Sequence, residues 1–422
     1  MMEFNRVSDL YVDGQGRLVL PPEMLSHYGI KQTNHIHVEK QTGSLQIQIP
    51  AYLAKLYIEP TNQCNLDCRM CIRNIWNEPM GKMSKAVFDL IIEGLKAFTS
   101  PPTVVFGGFG EPLFHSDIAD MVARMKELNV SVELITNATL LMADMSKELL
   151  KAGLDVLWVS LDGATPEAYA DIRLGVKLPL VLDNIAAFRD AIYEGGVLNC
   201  CGVLPKYNTQ LGVVFVAMKR NIAELPEVIN IGRRLGAERF LVTNVLPYTK
   251  EMVEEVLYYR SLGNIGYRQL NLPVIDAGEI TSGPVSQAVH DINGTCSNVN
   301  DRQTINRCPF VSTGCGAISW DGNVSPCLPL LHSYTSYLSS SSNRERFSRK
   351  WILGNVKQNS LFDIWNSSDH IAFRERVLDF EFSPCTSCGS CELSENNEED
   401  CMGNNFPTCG GCLWAQGVIQ CP

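Results

Sequence analysis

Three cysteines, Cys64, Cys68 and Cys71, fall in a C-x3-C-x2-C array within one short stretch of the chain. Soft thiolate ligands packed this tightly suit an iron-sulfur cluster or zinc. Four thiols would close either site. Three leave one iron of a four-iron cluster without a protein ligand, free to take a small chelating molecule. The bland reading is a structural zinc loop completed by a distant fourth ligand, with the glycines downstream acting only as turns.

The remaining cysteines have a second address. Of the 16 cysteines, eleven lie between Cys296 and Cys421. Cys308, Cys315 and Cys327 surround Trp320-Asp321-Gly322-Asn323, a turn signal between two short strands. They are followed by Cys385, Cys388 and Cys391 at CxxC spacing, then Cys401, the pair Cys409 and Cys412, and Cys421. Ten thiols from Cys308 onward can supply two four-thiolate sites with two left over, and a pair of zinc ribbons is the competing reading. Cys200 and Cys201 have apolar neighbours and read as buried or incidental thiols, while Cys296 in a polar loop is assigned to neither site. His35 and His37 alternate on a presumed strand, and satisfied or surface roles suit the seven histidines.

The elements that would position the first cluster are legible from periodicity. Six short β-rich runs, Leu56 to Glu59, Thr103 to Phe106, Val132 to Thr136, Val156 to Leu161, Gly212 to Ala217 and Arg239 to Thr243, alternate with helical stretches such as Ser84 to Phe98 and Ile222 to Leu235. That alternation predicts an α/β fold with a parallel sheet. Polar residues follow the ends of the runs: the cysteines after the first, Gly107 to Glu111 after the second, Asn137 after the third, Asp162 after the fourth. In parallel α/β folds this rim carries the site.

Composition excludes several classes. With 35 Lys and Arg against 46 Asp and Glu, the formal net charge is -11, which argues against nucleic acid as the main partner. Apolar stretches such as Leu211 to Met218 are far shorter than the roughly 20 residues of a membrane helix, and the start lacks a signal pattern, so a cytoplasmic protein without membrane contact is expected.

The segment Glu59 to Cys71 resembles the radical S-adenosylmethionine enzymes, whose defining motif has this spacing and whose open iron binds the methionine group of the cofactor. Phe106-Gly107-Gly108-Phe109-Gly110-Glu111-Pro112 is similar to the family's second motif. The resemblance implies a partial (β/α)6 barrel, with Cys64, Cys68 and Cys71 on the cluster and Gly107, Gly108, Gly110, Glu111, Asn137, Ser160, Asp162 and Arg173 around S-adenosylmethionine. Arginine suits that task because its fork pairs with a carboxylate in fixed geometry. Met70 stands where the family often has an aromatic residue before the third cysteine, and a thioether can fill the same place.

The C-terminal region resembles the SPASM extension of that family, a domain that holds one or two auxiliary 4Fe-4S clusters. By this resemblance Cys308, Cys315, Cys327 and Cys412 belong to the nearer cluster. Cys385, Cys388, Cys401 or Cys409, and Cys421 belong to the farther one. The domain reading is 1–50, a small β unit; 51–250, the radical core; 251–295, a connector; and 296–422, the cysteine-rich domain. The Ser-rich stretch from Ser333 to Asn343 reads as a loop within the last.

Residues 1–50 contain Arg17-Leu18-Val19-Leu20, Pro21-Pro22 opening a short helix, and alternating segments His35 to Val38 and Leu45 to Ile49 about a turn at Thr42-Gly43. They resemble the AbrB-like swapped-hairpin domain, which implies a homodimer. Four basic against five acidic residues there favour dimerisation or protein docking over DNA. The whole arrangement is similar to the maturases associated with tungsten-containing aldehyde ferredoxin oxidoreductases. It implies a 5'-deoxyadenosyl radical that takes hydrogen from a peptide, protein or cofactor substrate, with a ferredoxin or flavodoxin-type electron donor. A sulfatase-type maturase fits less well, because Leu328 rather than an acid follows Cys327. The rival readings are a peptide-crosslinking or thioether-forming enzyme and an iron-sulfur redox-sensing regulator on DNA. No residue stands out as the group that reacts with substrate.

Overall fold

The computed structural model of the protein describes residues 11–27, 37–41, 44–48, 52–194, 196–199, 202–258, 264–266, 270–273, 275–276, 278–293, 300–302, 308–337, 344–388 and 391–422. Cys200, Cys201, Cys296 and the turn at 42–43 lie outside the described residues. Six parallel strands carry the middle of the chain: β1 (Lys55–Ile58), β2 (Thr103–Phe106), β3 (Val132–Thr136), β4 (Val156–Ser160), β5 (Gln210–Ala217) and β6 (Ala237–Asn244). Each pairs in parallel with the next in chain order. Strands buried on both faces read as continuous apolar runs, and Val104, Val105 and Phe106 are all fully buried.

Helices cover the outside: α1 (Lys85–Leu95), α2 (Ile118–Lys126), α3 (Ala143–Ala152), α4 (Pro166–Ile172), α5 (Leu178–Tyr193) and α6 (Leu225–Arg234). The ends of α1, α3 and α4 are set locally. The Ser84 hydroxyl accepts from Val87 N at 3.3 Å to cap α1, Thr165 caps α4 in the same way ahead of Pro166, and Gly153 at φ +88° stops α3. In α1 the residues Val87, Phe88, Ile91, Ile92 and Leu95 form one buried stripe at helical spacing.

The structure adds detail to one sequence reading and corrects another. Within the expected connector 251–295, helix α7 (Glu279–Asn293) packs beside α6, and Ala288 is fully buried in the same apolar core as β5. Val285, Ala288, Val289 and Ile292 make a helical face there, which Gly283 and Pro284 disguise in the sequence. The expected loop from Ser333 is, over Tyr334–Tyr337, a strand paired antiparallel with Glu345–Ser348, because Tyr334 and Tyr337 are buried while the serines suggested solvent.

The C-terminal domain is built directly onto the barrel sheet. Strand β7 (Cys315–Ile318) adds in parallel to β1 with Cys315 opposite Lys55 and Ile318 opposite Ile58, and β8 (Asn323–Ser325) folds back on β7 through the expected turn. In the N-terminal region Tyr11–Val12 pairs with Leu18–Val19, and His37–Gln41 pairs antiparallel with Ser44–Gln48.

Gly316 in β7 lies against the fully buried Trp365, and a Cβ there would stand 2.7 Å from its ring. Gly316→Ala is expected to destabilise the protein by about 1–3 kcal/mol, the usual cost of overpacking a tight core. Thermal unfolding of purified variant against wild type checks this, and an unchanged Tm would show that the β7 contact yields.

Candidate active site

The C-terminal ends of β1 to β4 bring the sequence-selected residues onto one rim. The cysteine loop leaving β1 is pinned before its first thiol. The Thr61 hydroxyl donates to Gly81 O at 2.6 Å, and the Asn62 side chain bonds Pro79 O and Gly81 N, both at 2.8 Å. The glycine loop leaving β2 lies directly on it. Glu111 N donates to Gln63 O at 2.8 Å, and a Cβ on Gly110 would stand 2.1 Å from Thr61 O, so only glycine fits.

Cys64, Cys68 and Cys71 are all half-buried on this loop, with donors aimed at two of the sulfurs. Leu66 N points at Cys64 Sγ at 3.4 Å, Asn137 Nδ2 reaches the same sulfur at 3.7 Å, and Arg173 Nη1 lies 3.9 Å from Cys68 Sγ. Burial pushes the Cys64 thiol up, and it pushes Cys68 up to about 11 although Arg173 opposes the shift. Three half-buried thiols on one loop, two of them with N–H groups facing sulfur, are a donor set that fits a four-iron cluster. Met70 packs into the apolar cluster beside the loop.

The carboxylates of the rim knit strands together. Glu111 Oε1 accepts from Leu113 N at 3.0 Å and Thr136 Oγ1 at 2.6 Å, and Oε2 accepts from Asn137 N at 2.7 Å, joining the ends of β2 and β3. Burial raises its proton affinity, and these three donors oppose that. Asp162 Oδ1 accepts from Val216 N at 2.7 Å, which joins β4 to β5, and Oδ2 receives Arg173 Nε at 2.7 Å and Nη2 at 2.5 Å. Burial alone would drive the Arg173 guanidinium down, but Asp162 outweighs it and holds the proton more firmly than usual.

Asn137 accepts from Thr139 N and Oγ1 and donates to Asn65, so its amide is held facing Cys64. Ser160 ends β4, half-exposed, opposite Val214 of β5. The structure thus gathers these residues on one rim in two bonded sets, Cys64 with Asn137 and Glu111, and Cys68 with Arg173 and Asp162, and Gly107, Gly108 and Gly110 lie on the loop that carries Glu111. Sequence reading did not single out Asn65, or the buried Tyr169, whose hydroxyl has no hydrogen-bond partner among the described residues and lies near Arg173, Asp162 and Cys68. It also passed over His332, whose imidazole meets Glu59 at the start of the cysteine loop. No spacing in the sequence joins residues 273 positions apart.

The C-terminal thiols form two groups. Cys308, Cys315, Cys327 and Cys409 are buried in one apolar cluster, with Cys412 and Cys421 packed against it. Burial raises the thiols of this group, Cys308 up to about 12 and Cys421 up to about 11, and they reinforce one another: Cys308 and Cys412 act on Cys409, and Cys315 on Cys421. Cys385, Cys391 and Cys401 lie outside that cluster. Ser383 Oγ is 3.8 Å from Cys385 Sγ and 3.2 Å from Cys401 Sγ, and Cys391 adds to the burial that raises Cys385. Cys388 ends a short helix from Cys385, and its side chain is outside the described residues. Cys409 and Cys421, which the resemblance implies for the farther cluster as an option and as a member, pack in the same apolar cluster as Cys308, and Cys391 lies near Cys385. Buried Arg346 stands between the groups, its charge weakened by burial and supported by Cys385 and Cys412.

The comparisons agree with this architecture. The radical SAM superfamily model matches residues 58–210, and the iron-sulfur cluster-binding SPASM domain matches residues 308–392. The fold and these matches define a radical S-adenosylmethionine enzyme with a SPASM domain, whose cofactors are S-adenosylmethionine and 4Fe-4S clusters. The tungsten-containing aldehyde ferredoxin oxidoreductase cofactor-modifying protein of Pyrococcus furiosus is 30% identical over 378 residues, covering 87% of this chain and 96% of that protein. The chain belongs to the family of that cofactor-modifying protein. The Fe-coproporphyrin III synthase of Methanosarcina barkeri is 23% identical over 361 residues, covering 80% of this chain and 81% of its own. Among solved structures, anSMEcpe with bound AdoMet aligns with TM-score 0.52 at 16% identity over 87% of this chain and 92% of its own. Streptococcus suis SuiB bound to precursor peptide SuiA aligns with TM-score 0.51 at 16% identity, over 81% and 70%. Both share the fold.

Breaking the buried pair leaves an uncompensated charge. Asp162→Asn is expected to cost about 3–5 kcal/mol of stability. A thermal or denaturant unfolding curve at neutral pH checks this. The added change Arg173→Met should recover part of the loss, and a double variant no more stable than Asp162→Asn would show that the two side chains do not couple.

Proposed function

We propose that the protein matures a tungsten-dependent aldehyde ferredoxin oxidoreductase, acting on its cofactor or on a peptide or protein substrate. The observation that supports this best is identity of 30% across nearly the whole length of the Pyrococcus furiosus cofactor-modifying protein. The precursor peptide in the SuiB complex favours a peptide substrate as the second reading.

In this reading Cys64, Cys68 and Cys71 hold the open cluster, and Gly107 to Glu111, Asn137, Ser160, Asp162 and Arg173 frame S-adenosylmethionine. When bound and reduced, a cluster on Cys64, Cys68 and Cys71 would supply one-electron reductive cleavage of S-adenosylmethionine and, through it, hydrogen-atom abstraction from substrate. The protein's own part is to hold these reactants in register. Gly110 lets the two loops touch, Glu111 ties the glycine loop to the end of β3, and Arg173, clamped by Asp162, presents fixed positive charge beside Cys68. Closely positioned groups of this kind supply catalysis through orientation.

For the auxiliary sites we assign Cys385, Cys388, Cys391 and Cys401 to the farther cluster. Cys308, Cys315, Cys327 and Cys412 serve the nearer one, with Cys409 and Cys421 as additional thiols in the same surroundings. Electrons would come from a ferredoxin or flavodoxin-type donor. Residues 1–50, AbrB-like in sequence, would pair two copies of the chain in the cytoplasm. Among the described residues no helix is long and apolar enough to cross a membrane.

Anaerobically reconstituted, dithionite-reduced protein is expected to release 5'-deoxyadenosine from S-adenosylmethionine, and Cys68→Ala to abolish release. Equal release from both would remove the cysteine loop from the chemistry. Cys401→Ala should lose one cluster's four irons per chain. Unchanged iron in that variant would reject the farther-site assignment.

A further inference from the structure

A charged network outside the reaction set joins the cofactor rim to the C-terminal domain. Glu59, at the end of β1, is 1% exposed; its Oε1 accepts from Phe109 N in the glycine loop at 3.0 Å, and its Oε2 meets His332 Nε2 at 2.8 Å. His332 is 5% exposed, and its Nδ1 lies 4.0 Å from Glu78 Oε2. Glu78 in turn accepts from Ser333 N at 3.0 Å and Lys350 Nζ at 2.8 Å. Trp76 and Phe109 pack edge-on against the imidazole, with ring centroids at 4.7 and 5.6 Å. Gly108, at φ +143°, has no Cβ to collide with Glu59 Cγ, which would be 2.9 Å away.

We propose that His332 is a positioning residue which, by bridging Glu59 and Glu78, holds the glycine loop in the form that receives S-adenosylmethionine. Two carboxylates and two cations make the network neutral, which is the condition for burying charge. Burial alone would strip the imidazole of its proton, but Glu59 and Glu78 raise its pKa to about 9, and His332 with Lys350 holds Glu78 down to about 2. His332 is therefore cationic at neutral pH and a donor at both nitrogens. Its contribution is complete below the ordinary imidazole range and is lost as the pH rises through about 9. The groups facing it are Glu59, Glu78 and, through Glu78, Lys350. The cysteine loop begins at Glu59 and the glycine loop hangs from it, so loss of the bridge releases the rim where the two meet.

The inference rests on the proposed assignment of Gly107 to Glu111 to the cofactor, and the test separates the two. Equilibrium binding of S-adenosylmethionine to the reconstituted full chain is measured for wild type, His332→Gln and Glu111→Gln, with hydrogen exchange of the Phe109 amide at neutral pH. His332→Gln should weaken binding roughly tenfold or more, as expected for a lost hydrogen bond to a charged group. It should also speed Phe109 exchange at unchanged iron content, and Glu59→Gln added to it should slow that exchange again. Wild-type affinity should fall as the pH passes about 9, and the His332→Gln profile should be flat there. The wild-type titration needs no substitution, so it stands even where a variant folds poorly. Wild-type Phe109 exchange in His332→Gln, or a wild-type affinity flat through that pH, overturns the bridge. If Glu111→Gln weakens binding and His332→Gln does not, the inference fails alone; if neither does, the glycine-loop assignment fails.

Discussion

The site depends on the contact of two backbones. Gly110 brings the loop after β2 to within a missing methyl group of Thr61 O in the loop after β1. Every residue of the rim is placed relative to that contact. The amide of Glu111 bonds the cysteine loop, its carboxylate bonds the end of β3, Asn137 then faces Cys64, and across β4 the Asp162 and Arg173 pair faces Cys68. A side chain at position 110 would separate the cysteine loop from Glu111 and Asn137, although no charged or reactive group would be lost.

The acids of the rim show how a polar site is kept rigid in a buried place. Glu111 and Asp162 are both almost wholly buried, and each satisfies donors from two neighbouring segments. Buried carboxylates without such partners would take up protons. Held in this way they cross-link strands that main-chain pairing has already left, and aim Arg173 and Asn137.

The C-terminal domain is a continuation of the barrel rather than an appendage. Strand β7 carries Cys315 into register with Lys55, so the first auxiliary thiols are fixed by the sheet that also launches the cysteine loop. Tyr334 packs against both Tyr248, beyond β6, and Trp414, which draws the thiol-bearing end of the chain over the rim. Cys315 therefore keeps its spacing from the cysteine loop, because both hang from one hydrogen-bonded sheet.

By itself the sequence determined the βα alternation, the open thiol array and the two addresses of cysteine chemistry, because strand periodicity and ligand spacing are local and survive in one dimension. Six strands fall where alternation and apolar runs place them, with ends moved by up to two residues at Gln210 and Ala237. Helix α7 was obscured because Gly283 and Pro284 interrupt a face that only packing on α6 reveals. Which thiols share an environment was decided by tertiary structure: Cys409 and Cys421 come to the Cys308 group through burial in one apolar cluster, and CxxC spacing cannot encode that. The pairing of Glu59 with His332, 273 residues apart, likewise exists only once β7 is laid beside β1. Long-range charge pairing leaves no periodic trace in a chain, since its partners are chosen by the sheet that brings them together.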